Sequence, residues 1–338
     1  GIAPPQNYHQ FVVMCLDRQT GETMWQRTAA DVVPHEGHHE TNTFASSSPI
    51  TDGHHVYAFF GSRGIHCYDL NGNPIWDKDL GDMRTRFSFG EGSSPALFGD
   101  TLVIVWDHEG GSFIVALDAR NGNEKWRQPR DEVSTWSTPL VVEGGGRTQV
   151  VTSGDNAIRS YDLANGELLW QCGGLGSNPI ATPVVNEGIV ICMTGHRDPA
   201  GIAVPLDARG DVTDSEKIAW RIDDTPYIAS PVLYDDLLYF TKGRDAILSS
   251  VDAKTGEVVI NQKRLPDLST LYSSPVAAAG RIYIASREGN TVVLKHGREF
   301  EVLATNQLDE QAIDATPAIV GNELILRGQS HLYCISEQ

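Results

Sequence analysis

Along this chain apolar residues come in short runs, most of them alternating with polar ones, and each run is stopped by glycine, aspartate, asparagine or proline. Phe11-Val12-Val13-Met14-Cys15-Leu16, Val56-Tyr57-Ala58-Phe59 and Ile282-Tyr283-Ile284 are examples. None approaches the roughly 20 residues that span a bilayer, and the 3.6-residue period of stacked amphipathic helices does not appear. The pattern predicts a succession of short strands.

The strands recur in modules. One element reads apolar-x-apolar-Asp-x-x-x-Gly-x-x-x-Trp. It occurs as Leu16-Asp17…Gly21…Trp25, Leu117-Asp118…Gly122…Trp126 and Tyr161-Asp162…Gly166…Trp170. Tyr68-Asp69…Gly72…Trp76 is one residue shorter, Leu206-Asp207…Trp220 carries an insertion, and Val251-Asp252…Gly256 has Ile260 in place of Trp. Each copy predicts a β-hairpin. Glycine supplies the positive φ of the turn, aspartate caps nearby amides, and tryptophan packs on the next module. A second element, Ser/Thr-Pro ahead of an apolar strand, stands at Pro49, Pro95, Pro139, Pro183, Pro231, Pro275 and Pro317, where a missing N–H costs nothing at a strand's first residue. One module is therefore four short antiparallel strands, A to D, in roughly 45 residues, the signature of a propeller blade. Such a sheet cannot bury both faces alone and must stack on its neighbours.

The Ser-Ser-Pro start, the Tyr/Leu-Asp-x-x-Thr-Gly-x-x-x-Trp hairpin and this period resemble the quinoprotein-like (PQQ-repeat) propellers. These include the PQQ-dependent alcohol dehydrogenases and the propeller lipoprotein of the outer-membrane β-barrel assembly machinery. The resemblance covers about residues 11 to 335. It implies an exported, periplasmic protein, although Gly1-Ile2-Ala3-Pro4-Pro5 itself has neither the basic segment nor the apolar core of a secretory signal.

The modules predict one all-β propeller domain over residues 1–338. A first partial blade is expected at 11–27, full blades at 43–80, 90–127, 134–171, 178–222, 228–263 and 271–306, and a last partial blade at 313–338. Counting both partial blades gives an eight-bladed propeller with an N-terminal portion missing. The alternative is seven blades, with the opening hairpin contributing to the last one.

The net charge of −18 and the pI near 4.9 exclude phosphate-neutralising chemistry, so nucleic acid and anionic lipid are not expected partners. Five cysteines, with no CxxC and no adjacent pair, give neither a disulfide framework nor a zinc site. Cys15, Cys67 and Cys334 hold matching places where other modules carry Ala116, Ser160 or Ser250, and read as small buried residues.

The short C–D turns are stereotyped. The D–A and B–C loops vary, so the face they share is where a site is expected. Pro34-His35-Glu36-Gly37-His38-His39-Glu40 is its richest stretch, and His35, His38, His39 and Glu40 are candidate ligands for a divalent metal, although their spacing matches no zinc motif. Arg84, Arg86, Asp107, His108, Trp136, His196, Arg197, Tyr227, Arg244 and Tyr272 are candidates for a ligand-binding face. The resemblance to PQQ dehydrogenases implies a cofactor over a disulfide of adjacent cysteines, with a calcium site and a catalytic aspartate. No vicinal cysteines occur, no calcium ligand or catalytic aspartate can be carried over, and PQQ is not expected. The sequence thus points to a non-catalytic, monomeric binding or scaffolding propeller for a protein, peptide or glycan. Its alternative is a metal-dependent enzyme or metal-binding site at His35, His38 and His39.

Overall fold

The computed structural model describes residues 1–308 and 312–336. Residues 309–311, and the final 337–338 of the expected last blade, lie outside the described residues. Among the described residues the chain is all-β apart from two short 3-10 turns, and it divides into two compact units. The first comprises Gly1–Glu143 and Arg147–Leu169; the second comprises Gly144–Gly146 and Trp170–Gln338.

After an opening hairpin, His9–Leu16 with Thr23–Val32, the strands form successive antiparallel meanders. The first blade is Ile50–Thr51, His55–Phe59, Ile65–Asp69 and Pro74–Lys78; the second is Ala96–Phe98, Thr101–Trp106, Phe113–Asp118 and Glu124–Pro129. The third runs from Leu140–Gly144 to Leu168–Cys172, the fourth from Val184–Asn186 to Trp220–Ile222, the fifth from Val232–Tyr234 to Val258–Arg264 and the sixth from Val276–Ala278 to Val302–Gln307. The seventh, Ala318–Val320, Glu323–Arg327 and Leu332–Ser336, has three strands. These are the four-stranded blades of a β-propeller, and seven of them begin with the Ser/Thr-Pro strand. The eight-blade expectation is corrected on this point: the opening hairpin is a two-stranded sheet with no A and B strands of its own, so it does not make an eighth blade. The insertion between Leu206 and Trp220 is put to use, because Gly210–Asp211 pairs in parallel with Trp170–Gln171 and covers the outer edge of the third blade.

Both sequence elements prove to be couplings between neighbouring blades. In the C–D turns aspartate accepts from amides two to four residues on, as Asp17 does from Gln19 and Thr20 and Asp252 from Lys254 and Thr255. Four of the hairpin tryptophans then reach forward to the next turn. Trp25 donates its indole N–H to the carbonyl of Leu70, Trp76 to Ala119, Trp126 to Leu163 and Trp220 to Ala253, at 2.7–3.1 Å. The turn glycine of that next blade lies flat on the ring: a Cβ at Gly72, Gly122, Gly166 or Gly256 would stand 2.6–2.8 Å from it. A register shift precedes the Trp position in the hairpins of Trp25, Trp76 and Trp126, and its cross-strand partner is small: Cys15, Cys67 and Ala116. The bulge re-aims the side chain, and the small partner makes room for it. Cys67 is buried accordingly and Cys15 partly; Cys334, on the outer strand of the three-stranded seventh blade, is exposed, against expectation.

The Ser/Thr-Pro element forms a second ladder. The backbone N–H of Ser48 donates to the Ser94 hydroxyl and that of Ser94 to Thr138; in the second unit Thr182 donates to Ser230, Ser230 to Ser274 and Ser274 to Thr316. Between the ladders the faces close on apolar layers. Tyr57, Phe59 and Ile65 meet Leu102, Ile104 and Trp106; Val103 and Ala116 meet Val150 and Tyr161. In the second unit Met193 and Trp220 meet Phe240 and Val251, and Leu248 meets Ile282 and Val292.

Candidate functional site

In the first unit the D–A and B–C loops interlock through buried polar groups. Asp107 and Arg130 form a fork-to-fork ion pair at 2.7 and 3.0 Å, both side chains fully buried. Arg130 also donates to Thr152 and Tyr161, and Thr135 donates to Asp107. Burial works against the Arg130 charge, but Asp107 more than reverses this and holds it protonated. Glu132 accepts from the amides of Asn156 and Ala157 and pairs with Arg159; burial pushes its carboxyl up. Glu109 accepts from Ser134, and Arg86 lies between Glu109 and Asp155.

These contacts clamp the loop 81–92. Thr85 donates through its amide and hydroxyl to Glu36, Arg84 N–H to His108 Nδ1, Arg86 N–H to Ser134, and the Trp136 indole to the Gly90 carbonyl at 2.7 Å. Beneath the loop, Glu91 accepts from the amide and hydroxyl of Ser62, and burial pushes its carboxyl up against those bonds. Only glycine fits opposite it: a Cβ at Gly61, with φ +54°, would overlap Glu91 Oε2. Glu91 lines a cleft with Phe44, Phe60, Met83, Asp107 and Trp136, whose volume of ≈ 20 Å³ holds about one water molecule. At the crest of the clamped loop Phe87 and Ser88 both take left-handed backbone, φ +52° and +56°, and Phe87 is 66% exposed.

The three candidate metal-binding histidines are engaged with protein partners. His35 Nε2 bonds the Met83 carbonyl at 2.6 Å and its Nδ1 faces Arg63; His38 Nδ1 bonds the His39 carbonyl; His39 Nδ1 bonds Thr41. His38 and His39 stand edge-on to Phe44 and Phe89, and Glu40 is exposed. Among the described residues no three His, Cys, Asp or Glu side chains stand together as a metal site. Of the candidate ligand residues in this unit, Asp107, His108 and Trp136 brace loops, Arg86 pairs with carboxylates, and Arg84 is exposed while also bonding the Glu109 carbonyl.

In the second unit His196, Arg197, Tyr227, Arg244 and Tyr272 come together along the loops of three successive blades. His196 stacks on Tyr227, ring centroids 5.1 Å apart and planes at 26°. Arg244 donates to the Tyr272 hydroxyl at 3.0 Å, and Arg287 lies 4.7 Å over the Tyr272 ring while pairing with Asp314 at 2.8 Å. Burial raises the Tyr227 phenol, opposed by the charge of Arg244 and a hydrogen bond from Asn178, so it stays protonated at neutral pH. Asp314 is likewise pushed up by burial. Arg197 sits at φ +60° in a turn closed by the Asp198 amide on the His196 carbonyl, 2.7 Å.

A family model described as outer membrane protein assembly factor BamB matches residues 9–262. The chain belongs to this family. Its fold is shared by BamB from Moraxella catarrhalis, with a TM-score of 0.68 and 17% identity, over 98% of this chain and 92% of that one. A europium-containing methanol dehydrogenase shares it too, with a TM-score of 0.67 and 11% identity over 94% of this chain and 79% of that one. So does a quinohemoprotein alcohol dehydrogenase from Comamonas testosteroni, again with a TM-score of 0.67 and 11% identity, over 94% and 68%. Among curated proteins none matches by sequence.

Against this family background, several groups that organise the loops have no tell-tale motif. Arg130, Glu132 and Glu91 follow D strands, where any polar residue reads as a loop. Nothing in Arg86-Phe87-Ser88 announces left-handed backbone, since neither residue is Gly or Asn. Arg287 is found only through its stack on Tyr272.

Proposed function

We propose that the chain is a protein-binding propeller of the outer-membrane assembly class, acting in the periplasm, with the crest of loop 81–92 as its contact. The observation that carries this is Phe87. A large aromatic side chain is held out in solvent on left-handed backbone, by a loop whose flanks are tied at Thr85, Arg86 and Gly90. Such backbone persists only where surrounding contacts over-determine it, and a rigid exposed aromatic binds at little entropic cost. Membership of the BamB family supports a protein partner over a glycan. A photoreactive phenylalanine analogue at position 87, in cells, is expected to crosslink to a component of outer-membrane protein assembly, and Phe87→Asp to abolish co-purification of that component. A label at 87 that crosslinks no more than one at exposed Val258 would end this reading.

A second reading rests on the two dehydrogenases among the structural neighbours: an enzyme or metal protein centred on His35, His38 and His39. Metal binding there requires the His38 and His39 Nδ1 atoms to leave the His39 carbonyl and Thr41, or the ligands to be the opposite ring nitrogens. Protein purified without chelator is expected, on this reading, to carry near-stoichiometric divalent metal that His38→Ala/His39→Ala loses. Equal, near-zero metal in both would dispose of it.

A further inference from the structure

The second unit carries a feature that the Phe87 contact does not use. On a chain of net charge −18, the arginines near the loops are mostly neutralised: Arg86, Arg130, Arg159 and Arg287 each have a carboxylate within 4 Å. Arg197 and Arg244 are exposed, and among the described residues neither has one. Arg244 stands beside an aromatic wall, and Arg197 follows in the chain the His196 that backs it. Tyr227, backed by the stacked ring of His196, and Tyr272, backed by the Arg287 guanidinium, are both half-buried and fixed from behind. The Tyr272 hydroxyl accepts one N–H of Arg244, which steadies the guanidinium and leaves most of its five donors uncommitted. The turn that presents Arg197 is tight: a Cβ at Gly176 would lie 2.6 Å from the Asp198 carbonyl, and one at Gly195 would lie 2.5 Å from that of Pro226. A guanidinium held beside an aromatic face, with a second arginine on a tight turn in the neighbouring loop, suits a bidentate carboxylate next to an apolar or aromatic ring.

We infer that Arg197, Tyr227, Arg244 and Tyr272 form a carboxylate-binding site that takes an acidic, aromatic-containing segment of a protein partner. The argument for that occupant is charge complementarity. The protein as a whole repels anions, so an acidic segment is attracted only where local guanidiniums stand unpaired. The inference rests on the protein-binding reading above, and adds a second, chemically distinct contact to it.

The test is fluorescence anisotropy with two labelled peptides, Asp-Tyr-Asp-Tyr-Asp and Asn-Tyr-Asn-Tyr-Asn, at low ionic strength. The acidic peptide is expected to bind at least about tenfold more tightly than its amide counterpart, and Arg244→Gln or Arg197→Gln to remove about tenfold of that affinity. Tyr272→Phe, which frees the Arg244 head without touching charge, is expected to lose less. Both arginines are exposed, so the variants are expected to melt as wild type does, and far-UV dichroism checks this. Equal binding of the two peptides, or full affinity in Arg244→Gln, would overturn the site. Competition by free glucuronate as effective as by the acidic peptide would overturn its assignment to a protein segment. The Phe87 crosslink reads the parent proposal independently: a crosslink without peptide binding sinks this inference alone, and peptide binding without a crosslink sinks the other.

Discussion

Asp107→Ala is expected to cost about 3–5 kcal/mol of unfolding free energy, because it strands the Arg130 guanidinium in a site with no exposed surface. Each partner of this pair makes two of its hydrogen bonds to the other and the rest to buried neighbours. Arg130 gives two N–H groups to Asp107 and others to Thr152 and Tyr161, and Asp107 also accepts from Thr135. Removing the carboxylate leaves a buried charge with two neutral acceptors, and with Glu132, which is itself paired with Arg159, as its remaining acidic neighbour. Arg130→Leu is expected to fall in the same range, for the mirror-image reason. The double variant Asp107→Leu/Arg130→Met is the diagnostic one. It removes both charges, so its cost is expected to be smaller than either single change, and a thermodynamic cycle from urea unfolding gives the coupling directly. A reading of Asp107 as a ligand contact predicts the opposite: little loss of stability in Asp107→Ala and a loss of binding. Single variants that unfold as wild type does would therefore return Asp107 to the binding face.

This pair also marks the limit of what the sequence discloses. The blades were legible because their signals are local and repeated. Asp17…Gly21…Trp25 and its copies state a turn, a positive φ and a large apolar side chain at fixed offsets, and the structure uses each in that role. The same pattern misled the blade count. A C–D hairpin looks like the end of a blade wherever it occurs, and only strand pairing shows that His9–Leu16 and Thr23–Val32 form a sheet of two. The loop face was legible by residue type but not by role. Asp107, His108 and Trp136 are the residues a binding surface would carry, yet their partners are Arg130, the Arg84 amide and the Gly90 carbonyl, each more than 20 residues away. Partners set by blade stacking leave no trace in local spacing. The cluster of His196, Arg197, Tyr227, Arg244 and Tyr272 comes together for the complementary reason. His196, Arg197 and Arg244 lie in B–C loops and Tyr227 and Tyr272 in D–A loops, and the repeat places these loops of successive blades side by side.

The repeat makes a stronger claim: tryptophan and glycine in neighbouring hairpins are one device, and substitutions there are expected to be non-additive. Trp126→Ala is expected to destabilise by about 3–5 kcal/mol, since the residue is only 8% exposed and its N–H is the partner of the Leu163 carbonyl. Trp126→Phe keeps most of the apolar contact but leaves that carbonyl unpaired, at about 1–3 kcal/mol. Gly166→Ala carries two penalties. Its backbone sits at φ +76°, which costs a residue with a Cβ about 1–2 kcal/mol, and the added methyl would stand 2.6 Å from Trp126 Cε3. The second penalty exists only while the indole is present. In the Trp126→Ala background, Gly166→Ala is therefore expected to cost the backbone term alone, and the double variant to be more stable than the sum of the singles by about 1 kcal/mol or more. Equilibrium unfolding of the four proteins measures this. Strict additivity would mean that the two side chains do not sense each other, and steric coupling between blades would no longer account for the recurring offset between aspartate, glycine and tryptophan. Gly21 supplies the control, because nothing lies within 4 Å of a Cβ built there and its φ of +75° is nearly the same. Gly21→Ala is expected to cost the backbone term only, whatever stands at position 126.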